Sequence, residues 1–173
     1  FSPMLALFQY FIDLALLRRA PQDLPASTAL LMLLAALSVL IGGINGAVPF
    51  GGLRAALGAN LIDLALSMTL LFALLQLRGH APRWLQTASA FLGLGVLAGL
   101  VMLAVHPLVE LMGVGGFAMP ADVLLAIWLH VALGNVLRHA LGVSLPTGVL
   151  VVLTYTVLAV GIITRIFPPV VGS

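Results

Sequence analysis

The chain has 173 residues, 62% of them hydrophobic and 7% charged, with seven arginines, no lysine, five acids and a net charge of +2. With a mean hydropathy of +1.25 and far less than the ~25% charge of a soluble domain, it cannot build a water-facing surface of normal size. The scattered arginines form no basic run, which excludes a nucleic-acid face, and the absence of cysteine excludes disulfides, thiolate metal sites and iron–sulfur clusters.

Phe1 is not a start methionine, so the chain is expected to be trimmed or to lack its true start. Residues 4–17 lack a basic flank and a small-residue cleavage site, and do not read as a signal peptide. Residues 1–26 are expected to form an amphipathic interfacial helix and a proline-containing linker. The apolar run of PMLALFQYFIDLALLRR is too short to span and is broken by Gln9, Asp13 and Arg18–Arg19. Packing of this helix on the edge of a bundle is the equal alternative. Pro21 and Pro25 forbid a continuous helix into the next segment, which Ser27 or Thr28 can cap.

Residues 27–173 are predicted to be an all-α bundle of five transmembrane helices over 28–48, 56–77, 84–106, 121–142 and 146–167. Each is long enough to cross a ~30 Å hydrocarbon layer at ~1.5 Å per residue. The first exits through GGINGAVPFGG, a glycine-rich stretch in which Gly42 and Gly46 invite close packing. The joint RGHAPR is short enough to make the second and third spans antiparallel neighbours. Trp84 is a natural interface anchor for the third span, whose Gly95–Gly99 pair has GxxxG spacing and lets another backbone approach. His106–Pro107 is expected to end that span. The fourth should begin near Pro120 as a first-turn proline, and the fifth at Pro146.

Arginines 18, 19, 78, 83 and 138 fall on one side of this topology and only 54 and 165 on the other. The positive-inside bias then puts the N-terminus in the cytoplasm and the C-terminus outside. Five spans with almost no extramembrane mass resemble the Yip1-type membrane proteins. LRGHAPRWLQTASAFLGLGVLAGL (77–100) is similar to the segment joining two hairpins in bacterial members, and WLHVALGNVLRHALGV (128–143) resembles their next span. The long polar N-terminal region of eukaryotic members is missing. The resemblance implies a non-enzymatic protein working through lateral partners.

Asp63 is the most suspicious residue, because a carboxylate in hydrocarbon costs ~2.5–3.5 kcal/mol on insertion scales. Asn60, Asp63 and Ser67 share one helix face. One reading is a proton or cation site. The other is a structural hydrogen-bond cluster with Arg54 or a neighbouring span, favoured by the general rule that polar residues join membrane helices. His130 lies mid-span with Gly134 and Arg138 on its stripe and Asn135 and His139 beside it. It is expected to hydrogen-bond to Thr154, Tyr155 or Thr156, and Tyr155 belongs to the most hydroxyl-rich span. No second mid-membrane histidine exists for a bis-histidine haem within the chain, so no cofactor is expected. Haem shared with a partner stays open. GxSxG and a lysine-bearing phosphate loop are both missing, so no catalytic residue is assigned.

The leading expectation is a small scaffold or accessory subunit of a bacterial inner membrane. It would pack through glycine faces against itself or a larger complex, with the lipid bilayer as its other partner. The alternative is a small transporter or proton-coupled carrier using Asp63 and His130.

Overall fold

The computed structural model describes residues 3–170, so the first two residues of the N-terminal segment and the last three of the chain lie outside the described residues. Six α-helices are joined by short turns, and no strand occurs among the described residues. They are α1 (Pro3–Ala15), α2 (Thr28–Gly46), α3 (Leu53–Leu77), α4 (Trp84–Leu111), α5 (Ala118–Leu141) and α6 (Leu145–Ile166). Helices α2 to α6 are the five long and apolar enough to cross a membrane. The chain is therefore a multi-pass membrane protein of the helical type.

Local chemistry sets most of the ends. Ser27 accepts a hydrogen bond from the Leu30 amide at 3.2 Å and caps α2. Ser144 does the same for Thr147 ahead of α6, where Pro146 sits in the first turn. Gly142, at φ +67°, ends α5 in the left-handed region.

Two boundaries differ from expectation. Pro107 does not end α4, which runs on to Leu111. A proline removes one intrahelical bond and crowds the preceding turn, and membrane helices tolerate this. Helix α5 begins at Ala118, so Pro120 is its third residue. It is accommodated there because the first four helical N–H groups have no intrahelical partner.

The five spans close a ring in the order α2, α3, α6, α5, α4. The tightest approach is between α5 and α6. There a methyl group on Gly148 would fall on the Gly134 carbonyl, and one on Gly134 would lie 2.7 Å from the Val149 amide nitrogen. Helix α1 packs on the bundle edge, the second of the two expectations for it. Phe11, Leu14 and Ala15 are buried against the bundle, while Leu5, Phe8, Ile12 and Leu16 stay exposed. The Phe11 ring occupies the space left by Gly93, and Trp128 Nε1 donates to the Ala15 carbonyl at 3.1 Å.

Most of the core lies toward the arginine-rich end. Leu14, Leu24, Leu75, Leu94, Leu137 and Leu141 belong to one main cluster. At that end the carbonyls at the C-terminus of α5 are covered. His80 Nδ1 donates to Ala140 O at 3.0 Å, Arg83 reaches His139 O and Ala140 O at 3.4 Å, and Gln22 donates to His139 O at 2.8 Å. A second, smaller cluster of Ala59, Ala159 and Ile163 joins α3 to α6 toward the opposite end.

Candidate functional site

Between the two clusters the interior of the ring is not filled. A cavity of about 340 Å³ lies at mid-depth, lined by residues from all five spans. That volume is at the lower end of the ~300–1,000 Å³ typical of small-molecule sites. The polar lining is Ser38 from α2, Asn60, Asp63 and Ser67 from α3, His130 from α5, and Tyr155 and Thr156 from α6. Helix α4 contributes only Phe91, Leu92, Gly95 and Gly99, all apolar.

The helical period explains the α3 contribution: positions 60, 63 and 67 lie on one face. Asp63 is about ten residues into α3, ~15 Å along its axis, because the helix starts a turn earlier than the apolar run suggests. Its partner is Tyr155, whose hydroxyl donates to Asp63 Oδ1 at 2.5 Å and lies 3.0 Å from the Asp63 carbonyl. Arg54, the cation considered as a partner, makes no ion pair with it; the described ion pairs are Arg19–Asp13 and His106–Asp122. Asp63 Oδ2 accepts no described hydrogen bond, yet only Ser89 Oγ and Asn135 Nδ2 are sealed and unpartnered among the described side chains. Asp63 Oδ2 is therefore reachable. Asn60 donates to Ala56 O at 2.8 Å, and its Oδ1 fills the space beside Gly42.

His130 Nδ1 lies 2.7 Å from Ala126 O and must donate to it, since a carbonyl only accepts. Its Nε2 lies 3.0 Å from Thr156 Oγ1, which is also 3.0 Å from Val152 O. Thr156 has one hydroxyl proton. With neutral imidazole that proton points to Nε2; with imidazolium, Nε2 donates and the proton turns to Val152 O. Both protonation states are hydrogen-bonded without moving a heavy atom.

Of the other singled-out positions, Asn135 is 2% exposed, is not among the residues lining the central cavity and leaves Nδ2 unpaired. The glycines divide. Gly42 abuts Asn60, Gly46 abuts Ala56 and Phe50, and Gly99 abuts Ile41 while its carbonyl accepts from Asn45 at 3.1 Å. Within the chain Gly95 packs against no helix: a methyl group there meets nothing within 4 Å, and the residue lines the cavity. Sequence reasoning missed Gly134–Gly148 as the closest crossing and His106–Asp122, a 2.8 Å link between α4 and α5. Single glycines on separate helices carry no spacing signal.

The openings around the cavity are unequal. A smaller cavity of about 230 Å³, lined by Gly95, Gly99, Asp122 and Leu129, flanks it between α4 and α5. Another of about 240 Å³, lined by Phe50, Asn60, Asp63 and Thr164, reaches toward the arginine-poor end. On the other side, only about 10 Å³ remains between Leu71, Leu74, Leu137 and Val151, room for roughly one water. No three histidine or acidic side chains cluster as metal ligands among the described residues. The chain matches no protein-family profile, no curated protein and no solved structure, so the site is interpreted from its own geometry.

Proposed function

We propose that this is a small, non-enzymatic, proton-coupled carrier that binds its solute in the central cavity, with Asp63–Tyr155 and His130–Thr156 as the proton-handling pairs. The single observation that carries this reading is the convergence of polar side chains from four spans on one cavity of about 340 Å³. An intramembrane carboxyl and imidazole are costly in lipid and mark ion or substrate paths when they face an internal space. Every described titratable group lining that space is one of three: Asp63, His130 and Tyr155.

The scaffold reading rested on glycine faces free for partners. Gly42, Gly46 and Gly99 are used inside the chain instead, so the carrier takes precedence. The five-to-two arginine division supports a cytoplasmic arginine-rich end in a bacterial inner membrane. The resemblance to Yip1-type proteins is compatible with this topology, and the carrier reading does not depend on it.

The test is whether the cavity is wet. Ser67→Cys, which lines it, should react with a small cationic methanethiosulfonate added from the arginine-poor side. Leu75→Cys, fully buried in the apolar core, should not. An unreactive Ser67→Cys in folded protein means a dry packing void and returns the scaffold to first place.

A further inference from the structure

The α3–α6 junction differs from the other four of the ring. Toward the arginine-poor end its buried residues Ala59, Ala159 and Ile163 form their own small cluster, apart from the main core that holds Leu71 and Val152, and the two helices meet more sparsely than any other neighbours in the ring. On its outer face lies a groove of about 380 Å³ lined by Leu66, Leu70, Leu150, Leu158 and Ile162. Tyr155 and Ala159 border both this groove and the central cavity. A wall one side chain thick therefore separates the cavity from the bilayer. The described polar tie across it is the Tyr155 hydroxyl on Asp63.

The charge of the lining narrows what can enter. None of the seven arginines lines the cavity, and Asp63 is its one carboxyl. An anionic head would meet a carboxyl and no cation. A head with N–H donors meets acceptors: the unengaged Asp63 Oδ2 and Asn60 Oδ1, which accepts no described hydrogen bond. The groove beside it offers mainly aliphatic side chains, the surface an alkyl chain prefers.

We propose that the α3–α6 seam is a lateral portal and that the ligand is a cationic amphiphile, with an ammonium head at Asp63 and its alkyl chain in the outer groove. The proposal rests on the carrier reading and adds the chemical class of the ligand and its route. Passage through the seam breaks the hydrogen bond from Tyr155 to Asp63 Oδ1, and the ammonium is then held at the carboxyl. The phenol and carboxyl then act as a latch that the ligand itself opens.

The test uses the whole chain in phosphatidylcholine nanodiscs and dodecylammonium carrying a photoactivatable diazirine at the end of its chain. Adducts located by mass spectrometry should concentrate on Leu66, Leu70, Leu150 and Leu158. Excess dodecylammonium should remove them, and equal dodecanoate should not. Asp63→Asn keeps an acceptor for Tyr155 and should lower labelling about tenfold, the worth of one charge-assisted hydrogen bond. Thr154→Phe fills the groove without touching Asp63 and should remove the α6 adducts. Adducts spread evenly over all exposed helices overturn the portal. Equal competition by dodecanoate, or unchanged labelling of Asp63→Asn, overturns the cationic head. If either happens while Ser67→Cys still reacts, only the ligand class falls; if Ser67→Cys is also inert, the carrier reading falls with it.

Discussion

One substitution at two glycines should have opposite effects. Alanine replaces glycine in a helix with a gain of up to ~1 kcal/mol from backbone entropy and propensity. At Gly95 nothing lies within 4 Å of the new methyl group, so Gly95→Ala should be neutral or more stable by up to that ~1 kcal/mol. At Gly148 the methyl group collides with the Gly134 carbonyl oxygen and comes within 3.1 Å of its carbon and 3.3 Å of the Arg138 nitrogen. These are backbone atoms that cannot rotate away. Helices α5 and α6 must separate by ~1 Å, and a gap of that size forfeits a quarter to a half of each dispersion contact along the crossing. Overpacking of this kind costs ~1–3 kcal/mol, so the two variants should differ by ~1–4 kcal/mol on the same scale. Unfolding in mixed micelles, followed by the fluorescence of Trp84 and Trp128, measures both. If Gly148→Ala is as stable as the parent, or both variants shift in the same direction, the α5–α6 crossing is wrong.

Asp63→Asn should keep the side-chain hydrogen bond of Tyr155 and cost under ~0.5 kcal/mol, whereas Asp63→Leu leaves the phenol only the residue-63 carbonyl at 3.0 Å and should cost ~0.5–1.5 kcal/mol, the worth of one hydrogen bond; the same unfolding assay separates them, and equal losses would remove the Asp63 side chain as the partner of Tyr155. Cysteines at Ala26 and Gly115, both exposed, should be labelled from opposite sides of the membrane, Gly115 from outside; labelling of both from one side would end the five-span topology. Burial first, then the charge of Asp23, raises the Tyr10 phenol above its ordinary 10.0. The folded protein holds that proton more tightly than the unfolded chain, so this contribution is complete below about pH 10 and is lost as pH rises toward the folded-state value. Melting temperatures at pH 8 and pH 11 should therefore diverge more for the parent than for Tyr10→Phe, and an identical alkaline loss in both would assign it elsewhere.

The spans were legible because hydropathy and length report directly on the lipid solvent. The shared face of Asn60, Asp63 and Ser67 was legible for a related reason, since helical period places them without knowledge of any neighbour. What period cannot supply is the order of helices around the ring. Tyr155 lies 92 residues from Asp63, and nothing local to either marks the other. The two glycines of the GxxxG pair met different fates because the motif states that a backbone is accessible, not what faces it. Gly99 meets Ile41 and Gly95 meets the cavity. Pro107 misled because rules for ending helices in water weaken where neighbouring helices support the turn. The cavity itself was invisible to sequence, being a property of how five faces fail to meet.

The seat of α1 has a consequence for how the protein is made. Its anchors are distant in the chain: Trp128 binds the Ala15 carbonyl across 113 residues, and Gln22 binds the His139 carbonyl across 117. The ring of Phe11 sits in a hollow on α4. Helix α1 leaves the ribosome before α4 and α5 and thus has no docking place until they have been inserted. Nascent chains that stop before Trp84 should keep Phe11 open to crosslinking by lipid or by the insertion machinery, and release should come only once residues beyond Gly142 have emerged. Helix α1 is synthesised before the helices it docks on and positioned after them, and the completed bundle holds it in place.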